Sequence, residues 1–455
     1  MADARTRDEA LATEPVGKLM VKLALPAVAA QFINMLYNIV DRIYIGNIPG
    51  TGALALTGVG VTFPILMLVS AFAAFAGMGG APLASIQLGA GNRAGAEKIL
   101  GNCFSLLLFF SATLTVLFSL TKRPLLYMFG ASDNIIGYAE DYISIYLIGT
   151  VFVQLALGLN TFISAQGFAT TAMLSVLIGA LINIALDPLF IFSFGMGVRG
   201  AALATILSQA VSAVWILRFL FSQKSGIRIK PENMKPDKRV LGRVLGLGIA
   251  PFIMQSTESL VTITLNTGLQ RYGGDLYVGS MTIIQSVMQM LVMPVQGITQ
   301  GTQPIMSYNY GAKNYARVRK TFSLLLTVML TLTCLGTLAA VFLPGPVAHM
   351  FTQDEVLLEI VKARMPIFFG GIWAFGAQMA CQSTFMALGE AKISLFLALL
   401  RKIVLLIPLA LLLPVLLGGN VLGIYLAEPI ADILASGTTL TLFLIKRKKL
   451  LPEET

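Results

Sequence analysis

A chain of 455 residues with 56% hydrophobic and 12% charged side chains, at a mean hydropathy of +0.80, falls well short of the roughly 25% charge of soluble domains. It is solvated mainly by lipid, and its length leaves almost nothing for a soluble domain. The net charge of +10 does not imply nucleic acid: the basic residues gather in short stretches, Lys224 to Arg243, Lys313 to Lys320 and Lys446 to Lys449, as the positive-inside rule explains without a polyanionic partner.

At ~20 residues per crossing, the apolar runs predict an all-α polytopic membrane protein. Its twelve spans lie at about 19–45, 54–87, 97–120, 134–164, 171–193, 200–222, 240–268, 277–309, 318–342, 355–386, 392–416 and 421–445. The first twenty residues are polar and lack a signal-peptide core, so the first span acts as its own insertion signal. With the N-terminus inside, the outer gaps hold only Lys122, Arg123, Arg199 and Arg271, while most other basic residues fall in the inner gaps and the termini. This asymmetry places both termini in the cytoplasm and the chain in the cell membrane.

The first span closes on "NIVDRIYIG", residues 38–46, where Asp41 and Arg42 replace the expected aliphatic residues. An ionised carboxylate in hydrocarbon costs at least ~2.5–3.5 kcal/mol on insertion scales. Gln31, Asn34, Tyr37, Asn38 and Asp41 recur at helical steps and form one stripe. In the fifth span Asn183 and Asp187 share a face, and Pro188 follows. Asp41 and Asp187 fall at similar depths in the outer half, and Thr205 of the sixth span lies near them. Two carboxylates, an amide and hydroxyls at one level suit an oxygen cage for a small cation such as Na⁺, or a proton-sharing pair. The plainer readings are an Asp41–Arg42 pair, a turn or capping role for Asp187, and helix-packing roles for Asn183 and Thr205.

The one long polar connector, residues 223–240, is basic and proline-bearing and reads as a tether between lobes 1–222 and 241–455. Beyond it the seventh span carries Gln255, Glu258, Thr262 and Asn266. The eighth carries Gln285, Gln289, Gln296, Gln300 and Gln303, interleaved with Met281, Met288, Met290 and Met293. The glutamines mark a wet face; the methionines suit promiscuous apolar ligands or serve as core filler. Lys362, Arg364, Arg401 and Lys402 read as snorkelling or loop-proximal. Glu428 and Asp432 in span twelve are either functional or packing residues. His349 and the scattered Cys103, Cys334 and Cys381 form no metal set and no disulfide pattern.

The halves repeat. "GAGNRAGAEK" at 89–98 matches "GAKNYARVRK" at 311–320, "GVRGAALA" at 197–204 matches "NVLGIYLA" at 420–427, and Pro82 matches Pro304. Six spans per copy give both copies one orientation, related by a pseudo-two-fold along the membrane normal with a cavity between. Together with "NIALDPLFIF" and "GMGVRGAALAT", these motifs, in this order over nearly the whole chain, make it resemble the multidrug and toxic compound extrusion (MATE) family of cation-coupled antiporters, in its MepA-like branch.

The resemblance implies two six-helix lobes that alternate between outward- and inward-open states. It implies a first-lobe cation site at Asp41, Asn183, Asp187 and Thr205, with Tyr37 nearby, and matches Asn34 and Asn160 to drug-cavity positions. Glu258 matches a seventh-span acid of another branch, whose span-ten acid is absent from "FFGGIWAFGAQMACQ". The expected function is export of organic, cationic amphipathic compounds in exchange for H⁺ or Na⁺ by a monomer without cofactors. Glu258, with no span-ten acid beside it, is expected to pair with an organic cation, helped by Gln255, Gln285, Gln289 and Met288. A flippase for lipid-linked oligosaccharides would need a cavity rich in Arg and Lys for pyrophosphate. An intramembrane enzyme lacks a nucleophile–base or metal constellation, and the half-repeat with off-symmetry acids suits alternating access better than a pore.

Overall fold

The computed structural model describes residues 2–452, with side chains from residue 8 onward, and among these residues there is no strand. Apolar runs become helices because a backbone in hydrocarbon must satisfy its own polar groups. The first half comprises α1 (Ala2–Thr13), α2 (Val16–Gly46), α3 (Gly52–Gly89), α4 (Arg93–Met128), α5 (Ile136–Ile148), α6 (Thr150–Ala165), α7 (Ala169–Pro188) and α8 (Val198–Phe221). The second comprises α9 (Lys238–Tyr272), α10 (Asp275–Gly311), α11 (Tyr315–Phe342), the short α12 (Pro344–His349), α13 (Glu355–Phe369), α14 (Ile372–Ala387), α15 (Ala391–Leu399), α16 (Ile407–Leu416) and α17 (Leu422–Leu450). Wider π-helical turns extend α7 over Leu189–Ser193 and join α15 to α16 over Leu400–Leu406.

Ten helices are long and apolar enough to cross a membrane, and α5 with α6, bent by 60°, makes an eleventh. The twelfth expected crossing is α13 with α14, broken at Gly370–Gly371 and diluted by Glu359, Lys362 and Arg364. Span four is therefore bent and span ten broken, neither being continuous. The two breaks are related by the repeat: a Cβ on Gly149 would sit 2.3 Å from Ile206 of α8, and one on Gly371 would sit 2.5 Å from Pro429 of α17. Each lobe's sixth span thus wedges into the bend of its fourth.

The lobes cross at the end that carries both termini. Leu19, Met20 and Leu23, early in α2, belong to a core with Val295, Met306 and Leu325 of the second half, whereas Ile45 at its far end belongs to the first-lobe core. The mate of α2 behaves likewise: Val244 of α9 joins the first-lobe core, and Val261, Leu265 and Leu269 join the second. The contact is backbone to backbone at Gly89 and Gly311, where added Cβ atoms would lie 1.8 Å from the Tyr308 carbonyl and 1.9 Å from that of Ile86. Farther along the same helices, Asn38, Glu258, Gln289 and Gln296 are exposed. The cleft is closed at the terminus face and opens at the other.

Two segments brace the closed face. Leu11 of α1 is 1% exposed; its carbonyl accepts from Asn309 and Arg317 of the second lobe, and its side chain lies 3.6 Å from a Cβ position on Gly167 of the first. The connector is docked, not a loose tether. Ile227 and Ile229 are buried, Gln166 accepts from Ser225 and the Ile227 amide, and Lys230 pairs with buried Glu97 at 2.5 Å. Asp237 caps α9 and pairs with Lys98 at 2.5 Å. Lys98 and the α9 amides hold its carboxyl down at about 2, so this anchor persists above the ordinary carboxylate range and is lost only as pH falls toward 2.

The repeat also explains one strained residue. Asn92 and Asn314 each cap a helix, and each follows a residue with positive φ: Gly91 at 74° and Lys313 at 60°. No atom lies within 4 Å of a Cβ on Gly91, so a side chain there meets only backbone strain. Gly91→Ala is expected to cost about 1 kcal/mol, and Lys313→Gly to be neutral or stabilising by less than that. Thermal unfolding of the two purified variants checks the asymmetry.

Candidate functional site

The end of α2, the end of α7 and the start of α8 converge within the first lobe. Asp41 lies five residues before the end of α2; Asp187 directly precedes Pro188 and the π-helical turn, a backbone irregularity that often accompanies function. Asp41, Asn183, Asp187 and Thr205 are all buried. The Asp41 and Asp187 carboxyl groups come within hydrogen-bonding reach of each other, and Asn183 Nδ2 donates to Asp187 Oδ1 at 3.4 Å. Arg42 does not pair with Asp41; its guanidinium lies 5.5 Å from the ring centre of Phe63. The structure thus brings together the four residues expected from the sequence.

One oxygen of each remains without a partner: Asp41 Oδ1, Asn183 Oδ1, Asp187 Oδ2 and Thr205 Oγ1. Burying even one unpaired polar atom costs ~1–3 kcal/mol. An all-oxygen set with two carboxylates has the chemistry of a hard-cation or proton site, and these residues fit either ion. Tyr37 lies beside both acids. Sequence reading missed Tyr142 and Tyr146 of α5, stacked at 6.3 Å; Tyr142 adjoins Asp41, Tyr37 and Thr205. Their spacing in "DYISIYLI" was the available sign.

The second lobe solves the same problem differently. Arg401 Nε donates to Asp432 Oδ1 at 2.8 Å, Arg401 also donates to Glu428 Oε1 at 2.9 Å, and its guanidinium lies 4.6 Å from the Phe375 ring centre. Lys402 donates to the Met254 carbonyl at 2.9 Å and pairs with Glu258. Arg401 and Lys402 are therefore neither snorkelling nor near a loop: the π-helical turn aims them into the lobe. Glu258 is likewise not left for an organic cation alone, because Lys402 already holds it. The missed sign was "LLRKIVLL", two cations in hydrocarbon that require acids.

The remaining expected residues divide. Gln255, Gln285 and Met288 are half-buried and Gln289 is exposed; Met288 packs against the second-lobe core. Gln300 bridges the lobes to Gln31 at 3.2 Å, and Met281 is fully buried core. Asn34 and Asn160 line a chamber among α2, α6, α7 and α8 with about 40 Å³ open to water centres. Sites for drug-sized ligands run to roughly 300–1,000 Å³, so this chamber is small beside them.

Two bundles related by internal repeat, closed at one end and burying charge in both, define a two-lobed polytopic membrane protein. A family model described as MatE matches residues 26–189 and again 251–412, one match per half. The chain belongs to the MatE family. It is 23% identical over 424 residues, 92% of each chain, to the multidrug export protein MepA of Staphylococcus haemolyticus. Its identity to the protein of that name from Staphylococcus aureus strain MRSA252 is 22% over 427 residues, 92% of this chain and 93% of the relative. A crystal structure described as MATE in the bent conformation superposes with a TM-score of 0.91 over 98% of both chains at 23% identity, a likeness of fold.

The Glu258–Lys402 pair is lopsided, with side-chain exposures of 62% and 8%. Removing the acid strands a buried ammonium; removing the lysine leaves a carboxylate that water can reach. Glu258→Gln is expected to destabilise by about 1–2 kcal/mol and Lys402→Met by less than about 1. Unfolding midpoints in detergent measure the difference, and equal losses would contradict it.

Proposed function

We propose that this protein is an ion-driven exporter of organic, cationic amphipathic compounds, exchanging them for H⁺ or Na⁺ by alternating access. The carrying observation is the set of four buried oxygens without donors around Asp41 and Asp187. The names of the MepA relatives support an organic substrate. The basic residues of the connector, the α10–α11 turn and the C-terminus support a cytoplasmic terminus face in the cell membrane. The working unit is a monomer, with lobes 1–222 and 241–455 joined by 223–240.

In this reading the coupling ion is cargo. Two bare carboxylates at close range repel, and a proton or Na⁺ between them removes the repulsion and supplies what the four oxygens lack. Asp41 rides on the far end of α2, whose near end packs on the second lobe. Drawing Asp41 toward α7 therefore acts on both sides of the lobe contact. An ion that binds one cleft state better shifts the population toward it, and substrate shifts it back. Arg401 and Lys402 are held by three acids and so are not free to bind pyrophosphate, which disfavours the flippase reading.

Ethidium efflux from reconstituted vesicles, with Na⁺ and pH gradients imposed separately, tests the proposal. Wild-type protein is expected to export under at least one gradient. Asp41→Asn and Asp187→Asn are each expected to lose at least about tenfold in rate while inserting normally. Wild-type rates in either variant would overturn the site.

A further inference from the structure

We propose that the chamber beside the carboxylate pair is a hydrated passage for the coupling cation, leading from Asp41 and Asp187 toward the terminus face. This rests on the ion-coupled reading above and gives a route to its site. A single water needs only ~10–15 Å³ of such space, so 40 Å³ admits a few waters or one small cation and little else. The lining mixes polar groups, Asn34, Asn160, Ser175, Ser208, Gln209 and Ser212, with apolar ones such as Leu157, Val176 and Ile216. Polar hollows of this size are wet, whereas apolar ones stay dry.

The chamber continues the site. Tyr37 lines it and also lies beside both acids. On α7, Gly179 is one turn before Asn183 and Ser175 a further turn; on α8, Ser208 and Gln209 follow Thr205 by one turn and Ser212 by two. Both helices descend in that direction to the terminus face, where α7 starts and α8 reaches the connector.

The lining groups can receive a cation. Ser208 Oγ donates to the Thr205 carbonyl at 2.7 Å and Ser212 Oγ to that of Ser175 at 2.9 Å. Spending their hydrogens on backbone leaves oxygen lone pairs free. Asn160 Oδ1 accepts from Ser175 at 3.2 Å, and Gln209 makes no hydrogen bond among the described residues. A Cβ on Gly179 would lie 2.3 Å from Ser212 Oγ, so the missing side chain lets that oxygen sit against α7, and a methyl group there would displace it into the chamber.

The test uses Ag⁺, a small monovalent cation that binds thiols, on full-length protein in which Cys103, Cys334 and Cys381 are replaced by Ala. Ser212→Cys in that background is expected to react with Ag⁺ supplied at the terminus face. Maleimide labelling after denaturation should then fall about tenfold or more, while Val214→Cys, exposed on the same helix, should keep its labelling. Unchanged labelling of the Ser212→Cys protein overturns the passage. This readout needs no transport, so it stands apart from a failure of wild type to export. In vesicles, Gln209→Leu and Gly179→Ala are each expected to slow gradient-driven turnover about tenfold with an unchanged KM for ethidium. Running each under a Na⁺ and a pH gradient tells whether Na⁺ or protons use the route. Wild-type turnover in both variants under both gradients also overturns it.

Discussion

Two carboxylates facing each other inside hydrocarbon, neither in an ion pair among the described residues, are the constraint around which the first lobe is organised. Asp41 and Asp187 come from helices far apart in sequence, and Asn183 and Thr205 each add an oxygen without a partner. Nearby Arg42 is turned onto an aromatic ring. Such an arrangement is expensive unless something outside the polypeptide completes it. In the second lobe, Glu428 and Asp432 are equally buried, but Arg401 reaches both. One scaffold, used twice, gives one acid cluster closed by a tethered cation and one with no such ion pair among the described residues.

The connection from that cluster to the rest of the molecule runs through α2. Its far end carries Asp41 and its near end packs in a core with second-lobe residues; α9 makes the reciprocal crossing. Because the backbones touch at Gly89 and Gly311, this contact can be made or broken but hardly stretched. Leu11 and the docked connector brace the same face. A change of charge near one end of α2 therefore bears on a contact that is close to all-or-none.

Much of this was legible in the residues. Charge in an apolar run is costly, so Asp41 and Asp187 stood out; helical spacing put Asn183 on the face of Asp187, and depth in the sixth span put Thr205 near them. The repeat was visible in paired motifs, and the structure repeats it in the caps at Asn92 and Asn314. Arg401 and Lys402 were misread because a π-helical turn shifts the register, so 3.6-residue spacing no longer gives a side chain's direction. The bends at Gly149 and Gly371 depend on Ile206 and Pro429, partners distant in the chain. The connector's docking depends on two isoleucines within a basic stretch. Asn34 and Asn160 were matched to drug-cavity positions, and that they line one small chamber together could be read only from the structure.

The most direct test of the central claim counts ions on the protein itself. Proton uptake in weakly buffered detergent, with binding of radioactive Na⁺ measured alongside, would be compared between wild type and Asp41→Asn/Asp187→Asn. The account predicts saturable uptake of one of these ions by wild type that is absent from the double variant, while Arg401 and its acids contribute none. Equal uptake by the two proteins would contradict it.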